Sequence, residues 1–153
     1  MAHVLFVCTG NTCRSPMAEA ILNSRGFSGV EARSAGIYAA NGSDASAHTK
    51  QVLLEEGIEI NHDSSMLTDE LVDWATHILT MTNGHKSAIL QQFANANGKT
   101  FTVKEYAHGQ LNRDIIDPYG GPLALYKQTF LELNSDIEKI AAMIKDQPQK
   151  DDY

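Results

Sequence analysis

Cysteine is scarce in this chain: 153 residues hold two, Cys8 and Cys13, with four residues between them. A small secreted fold stapled by disulfides would want more, spread along the sequence. Structural zinc wants four ligands, and no second cysteine pair or close histidine pair supplies them. Long apolar runs are missing too. No stretch approaches the ~20 apolar residues of a membrane span, and the opening Met-Ala-His-Val-Leu-Phe-Val lacks the basic lead and length of a signal peptide. Reduced thiols, a cytoplasmic setting and no membrane partner are therefore expected. Positive charge is in short supply: 12 Lys and Arg face 19 Asp and Glu, for a net charge of −7. That balance disfavours nucleic acid as a partner, so any anion-binding function must be local, built from a few well-placed groups. No repeat, low-complexity tract or Pro/Gly/Ser linker divides the chain. Residues 1–153 read as one domain, expected to act as a monomer, and the 42% hydrophobic and 20% charged residues suit an ordinary globular core.

What is present is an alternation of strands and helices. Val4-Leu5-Phe6-Val7 is a continuous apolar run, the mark of a strand buried on both faces. Ser15-Pro16 offers an N-cap and a first-turn proline for a helix that Gly26 would stop. Val30 to Ser34 alternates as an edge strand does. Ala47 to Glu56 predicts a second helix with Val52, Leu53 and Leu54 inward, and Thr68 caps a short third one through Trp74. Ile78 to Met81 predicts a core strand, Gly84 to Phe93 a helix, and Phe101 with Val103 a fourth strand. Tyr126, Phe130, Leu133, Ile137, Ile140 and Ile144 lie on one stripe of a final helix, and the polar tail from Gln147 to Tyr153 is expected to fray. The fold class that follows is α/β, a doubly wound four-stranded parallel sheet with helices on both faces. Ligands of such sheets bind at the carboxyl ends of the strands, where strand order reverses.

The first strand–helix loop is such a place, and it reads Cys8-Thr9-Gly10-Asn11-Thr12-Cys13-Arg14-Ser15. Gly10 and Asn11 can both take positive φ, which turns successive backbone N–H groups inward to cradle a phosphate-sized anion at a helix N-terminus. Arg14 can clamp the equatorial oxygens of a transferring phosphoryl group. The same positive field favours the nucleophilic thiolate of Cys8, and Ser15 can donate its hydroxyl to that sulfur. A merely buried cysteine would need none of these neighbours. Phosphoryl transfer also needs an acid for the leaving group. Asp117-Pro118-Tyr119-Gly120-Gly121 could supply it, although the local sequence alone reads more readily as an ordinary Asp-Pro turn before the last helix.

Val7 to Glu19, taken with Asp117-Pro118-Tyr119-Gly120 and with Ser34-Ala35-Gly36, resembles the low-molecular-weight protein phosphatase family over essentially the whole chain. The resemblance implies a phosphate-binding loop after strand 1 of a sheet ordered 2-1-3-4. It implies Cys8 as nucleophile, Arg14 as phosphate clamp and Asp117 as acid and then base. Thr9, Gly10, Asn11, Thr12, Cys13, Ser15 and Tyr119 would bind substrate, and Ser34 and His62 would support the loop behind Asn11. Neither metal nor cofactor is implied. Thr12 stands where tyrosine-specific members carry an aliphatic residue and protein-arginine phosphatases a threonine. Lys104-Glu105-Tyr106, Gly120-Gly121 and Tyr126 to Thr129 also resemble the arginine branch. Tyr119 departs from that branch's usual phenylalanine and keeps tyrosine phosphatase activity as the alternative.

Two other functions share this loop or fold. Thiol-dependent arsenate reductases relay electrons through cysteines outside the loop, and none follows Cys13. A silent phospho-residue-binding module would be expected to lose Cys8 or Asp117. The expected partners are thus phosphorylated proteins, with hydrolysis through a phosphocysteine. Cys13 is further read as a redox partner, placed to trap an oxidised Cys8 as a reversible disulfide. The remaining histidines, including His85 and His108, are expected at the surface.

Overall fold

The run Val4 to Val7 becomes the middle of β1 (Ala2–Cys8), in which those four side chains are wholly buried. The computed structural model to which it belongs describes residues 1–110 and 113–145. β1 pairs in parallel with β2 (Val30–Gly36) on one side and β3 (His77–Thr80) on the other, and β3 pairs in parallel with β4 (Thr100–Thr102). The order β2-β1-β3-β4 is the expected one, with β2 at an edge. Alternation along β1 sends its side chains into two cores. Val4, Phe6 and Cys8 pack with α1 (Arg14–Ser24), α2 (Ala47–Glu55) and α6 (Leu123–Lys145), whereas Leu5 and Val7 pack with α3 (Asp69–Trp74) and α4 (Asn83–Gln92). A strand covered on both faces has no polar side to offer water, hence its unbroken apolar sequence. The stripe on α6 is buried as expected from Tyr126 to Ile144, and each such side chain contributes roughly 1.5–3 kcal/mol by leaving water.

Several elements differ from the sequence reading. Helix α1 starts two residues early, at Arg14, with Cys13 at the N-cap position and no side-chain cap. Ser15 cannot cap it, because its hydroxyl is engaged by Cys8 and Asn11. Leu54 points to solvent, not inward. At 100° per residue, three consecutive helix positions cannot all face one core. Val103 is not strand: β4 ends at Thr102, which caps a helix not expected from the sequence, α5 (Val103–His108). Thr102 Oγ1 accepts from Glu105 N while Glu105 Oε1 accepts from Thr102 N, a reciprocal cap that outcompetes strand extension. Thr82 caps α4 in the same way as Thr68 caps α3. The tail from Gln147 onward lies outside the described residues.

Candidate active site

The loop between β1 and α1 turns at Asn11, whose φ of 58° makes it the one non-glycine residue in the left-handed region among those described. Gly10 does not share that conformation, contrary to expectation. An asparagine in this region costs about 1 kcal/mol, and saturation of its polar atoms offsets that cost. Asn11 Oδ1 accepts from Ser65 N (2.9 Å), which fixes the amide so that both Nδ2 protons go to serines. One goes to Ser15 Oγ (2.8 Å) and the other to Ser34 Oγ (2.9 Å), while the Asn11 carbonyl meets His62 Nε2 at 2.8 Å. Ser34 passes its own proton to Glu19 Oε1 (2.9 Å). Burial pushes the Glu19 carboxyl up, against that hydrogen bond and the nearby His62. Ser15 Oγ, already accepting from Asn11, has its proton free for Cys8 Sγ at 2.9 Å. The network thus presents a hydroxyl donor to the sulfur.

Edge strand β2 supports the loop from below. Gly36 pairs with Cys8, and a Cβ there would lie 2.4 Å from the Thr9 carbonyl and 3.0 Å from Asn11 N. Only glycine lets the strand approach this closely. On the other side Ser46, the N-cap of α2, donates its backbone N–H to the Thr12 carbonyl (2.9 Å). Cys13 is buried, its Sγ 3.6 Å from both Ser46 Oγ and Tyr126 Oη and 3.8 Å from Thr12 Oγ1. Burial, with the Cys13 hydrogen bond adding to it, pushes the Tyr126 phenol up to about 12.

Arg14 is buried and joins the loop to the Asp117 segment. Its Nη1 donates to the Ile115 carbonyl (2.8 Å), and Nη2 lies 3.6 Å from Asp117 Oδ2. Asp117 itself is half exposed, with Oδ1 accepting from Tyr119 N (3.1 Å). The segment is anchored to the residue after β3 and to the start of α4 by Ile115 N donating to the Met81 carbonyl and Asn83 N to Asp114 Oδ1, both 2.8 Å. Together these parts line a cleft of about 220 Å³, walled by Cys8 to Arg14, Asp117 and Tyr119. Ser15 lies behind Cys8, and Ser34 and His62 lie behind Asn11, the latter two buried. A thiol backed by a hydroxyl donor, a guanidinium and a carboxylate facing one phosphate-sized cleft can perform in-line phosphoryl transfer.

The sequence reading missed one residue here. His85 was expected at the surface, yet it is buried in the first turn of α4 with Nε2 2.8 Å from Thr9 Oγ1. The available signal was its position: β3 neighbours β1, so the turn after it opens on the same crevice.

Known proteins resemble this chain over most of its length. The family described as low molecular weight phosphotyrosine protein phosphatase matches residues 3–150. A protein-arginine-phosphatase of Geobacillus stearothermophilus is 51% identical over 143 residues, covering 94% of this chain and 96% of the relative. A solved YwlE arginine phosphatase from the same organism superposes with a TM-score of 0.93 at 50% identity, covering 95% of this chain and 94% of that one. A cysteine-to-serine mutant of YwlE arginine phosphatase, solved with a phosphorylated active site serine, gives a TM-score of 0.91 at 43% identity over 95% of this chain and 97% of its own. The chain belongs to the low molecular weight phosphotyrosine protein phosphatase family.

Proposed function

We propose that this protein is a protein-arginine phosphatase that uses Cys8 as a metal-independent nucleophile. The observation that carries the reading is the 2.9 Å contact of Cys8 Sγ with Ser15 Oγ at the floor of a cleft where Arg14 and Asp117 face each other across 3.6 Å. The phosphorylated active site serine of the solved YwlE mutant supports a covalent phosphoenzyme on the matching loop. The protein-arginine-phosphatase name of the relative at 51% identity supports phosphoarginine as substrate.

In the first step the Cys8 thiolate attacks phosphorus in line. The P–N bond breaks, and the departing guanidino nitrogen takes a proton from the Asp117 carboxyl. Backbone N–H groups of the Thr9 to Cys13 loop and the Arg14 guanidinium hold the equatorial oxygens. In the second step water attacks the phosphocysteine while the Asp117 carboxylate takes its proton. The sulfur leaves as thiolate, with the Ser15 hydroxyl donating to it, and inorganic phosphate is released. Asn11, held by Ser34 and His62, keeps the loop in the shape these contacts need. Thiolate chemistry requires reduced Cys8, so the enzyme is placed in the cytoplasm, acting as a single-domain monomer on phosphorylated proteins. The alternative reading, protein-tyrosine phosphatase activity, draws on Tyr119, exposed on the cleft wall where a phenyl ring could stack.

Assay of the purified protein on phosphoarginine and phosphotyrosine proteins side by side, with chelator present, tests the whole reading. Phosphoarginine turnover unaffected by chelator and lost in Cys8→Ser is expected, since a serine hydroxyl does not ionise there. A preference for phosphotyrosine would select the alternative, and an active Cys8→Ser would rule out the mechanism.

A further inference from the structure

His85 has no part in the mechanism above, yet it is buried against the phosphate-binding loop. Its backbone N–H is fixed by Thr82 Oγ1 (3.0 Å) in the first turn of α4. Its Nδ1 is buried with no hydrogen-bond partner among the described residues. That orphan decides the tautomer. A proton on Nδ1 would strand a buried donor, which folded proteins tolerate less readily than a bare lone pair. The ring proton therefore sits on Nε2 and is donated to Thr9 Oγ1 across 2.8 Å. Burial pushes the His85 imidazole down to about 4, and the nearby Arg14 guanidinium adds to this against Asp114 and Asp117. The ring is consequently neutral at working pH, with one donor to give.

Thr9 is exposed on the cleft wall, and its hydroxyl has no other partner among the described residues. With one oxygen lone pair filled by His85, the hydroxyl proton is left for a group in the cleft that Thr9 lines. We propose that His85 is a positioning residue of the active site: its Nε2–H holds Thr9 Oγ1 and so commits the Thr9 hydroxyl proton to a phosphoryl oxygen of bound substrate. This rests on the phosphatase reading and assigns to it an additional, side-chain donor set by a residue from a neighbouring strand's helix. Phosphoryl oxygens are common to every substrate, so the effect falls on phosphoarginine and aryl phosphate alike.

The test is a mutant cycle on the full chain, measuring kcat/KM on a phosphoarginine protein and an aryl phosphate, and inhibition by inorganic phosphate. His85→Leu should lower kcat/KM about five- to tenfold on both substrates, the worth of one fixed hydrogen bond. It should weaken phosphate inhibition by a similar factor. His85→Gln, whose amide N–H can reach Thr9, should keep most of the activity. Thr9→Val should resemble His85→Leu, and adding His85→Leu to it should cost less than about twofold more. Equal cost of His85→Leu in both backgrounds would overturn the proposal. Nitrogen NMR of wild-type His85 supplies a measurement independent of any variant's folding. An Nε2–H neutral ring at pH 7 is expected, and an Nδ1–H or cationic ring overturns the inference. Wild-type protein inactive on both substrates would defeat the phosphatase reading instead, with the tautomer and phosphate binding still deciding the role of His85.

Discussion

Thr12 is half-buried on the cleft wall, with its hydroxyl 3.8 Å from Cys13 Sγ and its carbonyl tied to Ser46 N. A guanidino group brings N–H donors into this wall, whereas a phenyl ester brings an apolar ring. Replacing the hydroxyl by a larger aliphatic group leaves the donors unmatched, and polar mismatch discriminates more strongly than apolar fit. Thr12→Ile should therefore lower kcat/KM on phosphoarginine at least ~10-fold, about 1.4 kcal/mol of transition-state stabilisation, while aryl phosphate turnover is kept or raised. An unchanged ratio of the two would remove Thr12 as selector. Its neighbour Cys13 is buried beside Ser46 and Tyr126, and both thiols are free. The Cys13 thiol can attack the sulfur of a Cys8 that peroxide has oxidised to the sulfenic acid, breaking its S–O bond, releasing water and forming a disulfide. Dithiol should then restore peroxide-inactivated wild type. Recovery should largely fail in Cys13→Ala, and equal recovery of both proteins would refute the trap.

At the level of elements, the loop is shaped by the ends of strands and helices more than by its own residues. β2 presses Gly36 against the Thr9 carbonyl and Asn11 N. The obstacle to a Cβ there is backbone, which cannot swing aside as a flexible side chain would. Gly36→Ala should therefore push the loop outward. Overpacking of this kind costs about 1–3 kcal/mol of stability, and displacing a catalytic loop by ~1 Å costs on the order of 10²-fold in rate. The expected signature is a kcat/KM loss far larger than the shift in the urea midpoint explains. A fully active, merely destabilised variant would show that the loop accommodates the methyl.

For the molecule as a whole, pH should act on stability through groups whose titration folding alters. Burial holds His85 at about 4 in the folded protein against an ordinary 6.5. Between those values the unfolded chain binds a proton that the folded one refuses. Stability therefore falls as pH drops from about 6.5 toward 4, and this contribution is flat above that window. Glu19 works in the opposite sense, because its raised carboxyl takes up a proton in the folded state before the unfolded one does. Comparison with His85→Gln isolates the histidine. Urea midpoints measured from pH 7.5 to 4.5 should show wild type losing ground to the variant as pH falls. A gap independent of pH would mean that His85 is not held neutral.

Residues adjacent in the chain made much of this protein legible before any coordinates. The apolar run Val4 to Val7, the stripe from Tyr126 to Ile144 and the cysteine-to-arginine loop encode burial, period and anion binding within short windows, and they fixed the parallel sheet and the face that carries the site. Local competition defeated the reading at Val103, where the Thr102–Glu105 cap starts a helix, and at Ser15, whose hydroxyl serves Cys8 in place of a helix end. Only the tertiary structure could decide that Gly36 had to be glycine, that Ser65 completes the hydrogen bonding of Asn11, and that His85 is buried against Thr9. In each case the deciding atom comes from a residue more than twenty positions away. Hydrogen bonds and steric contacts depend on distance in space, and a sequence pattern reports only distance along the chain.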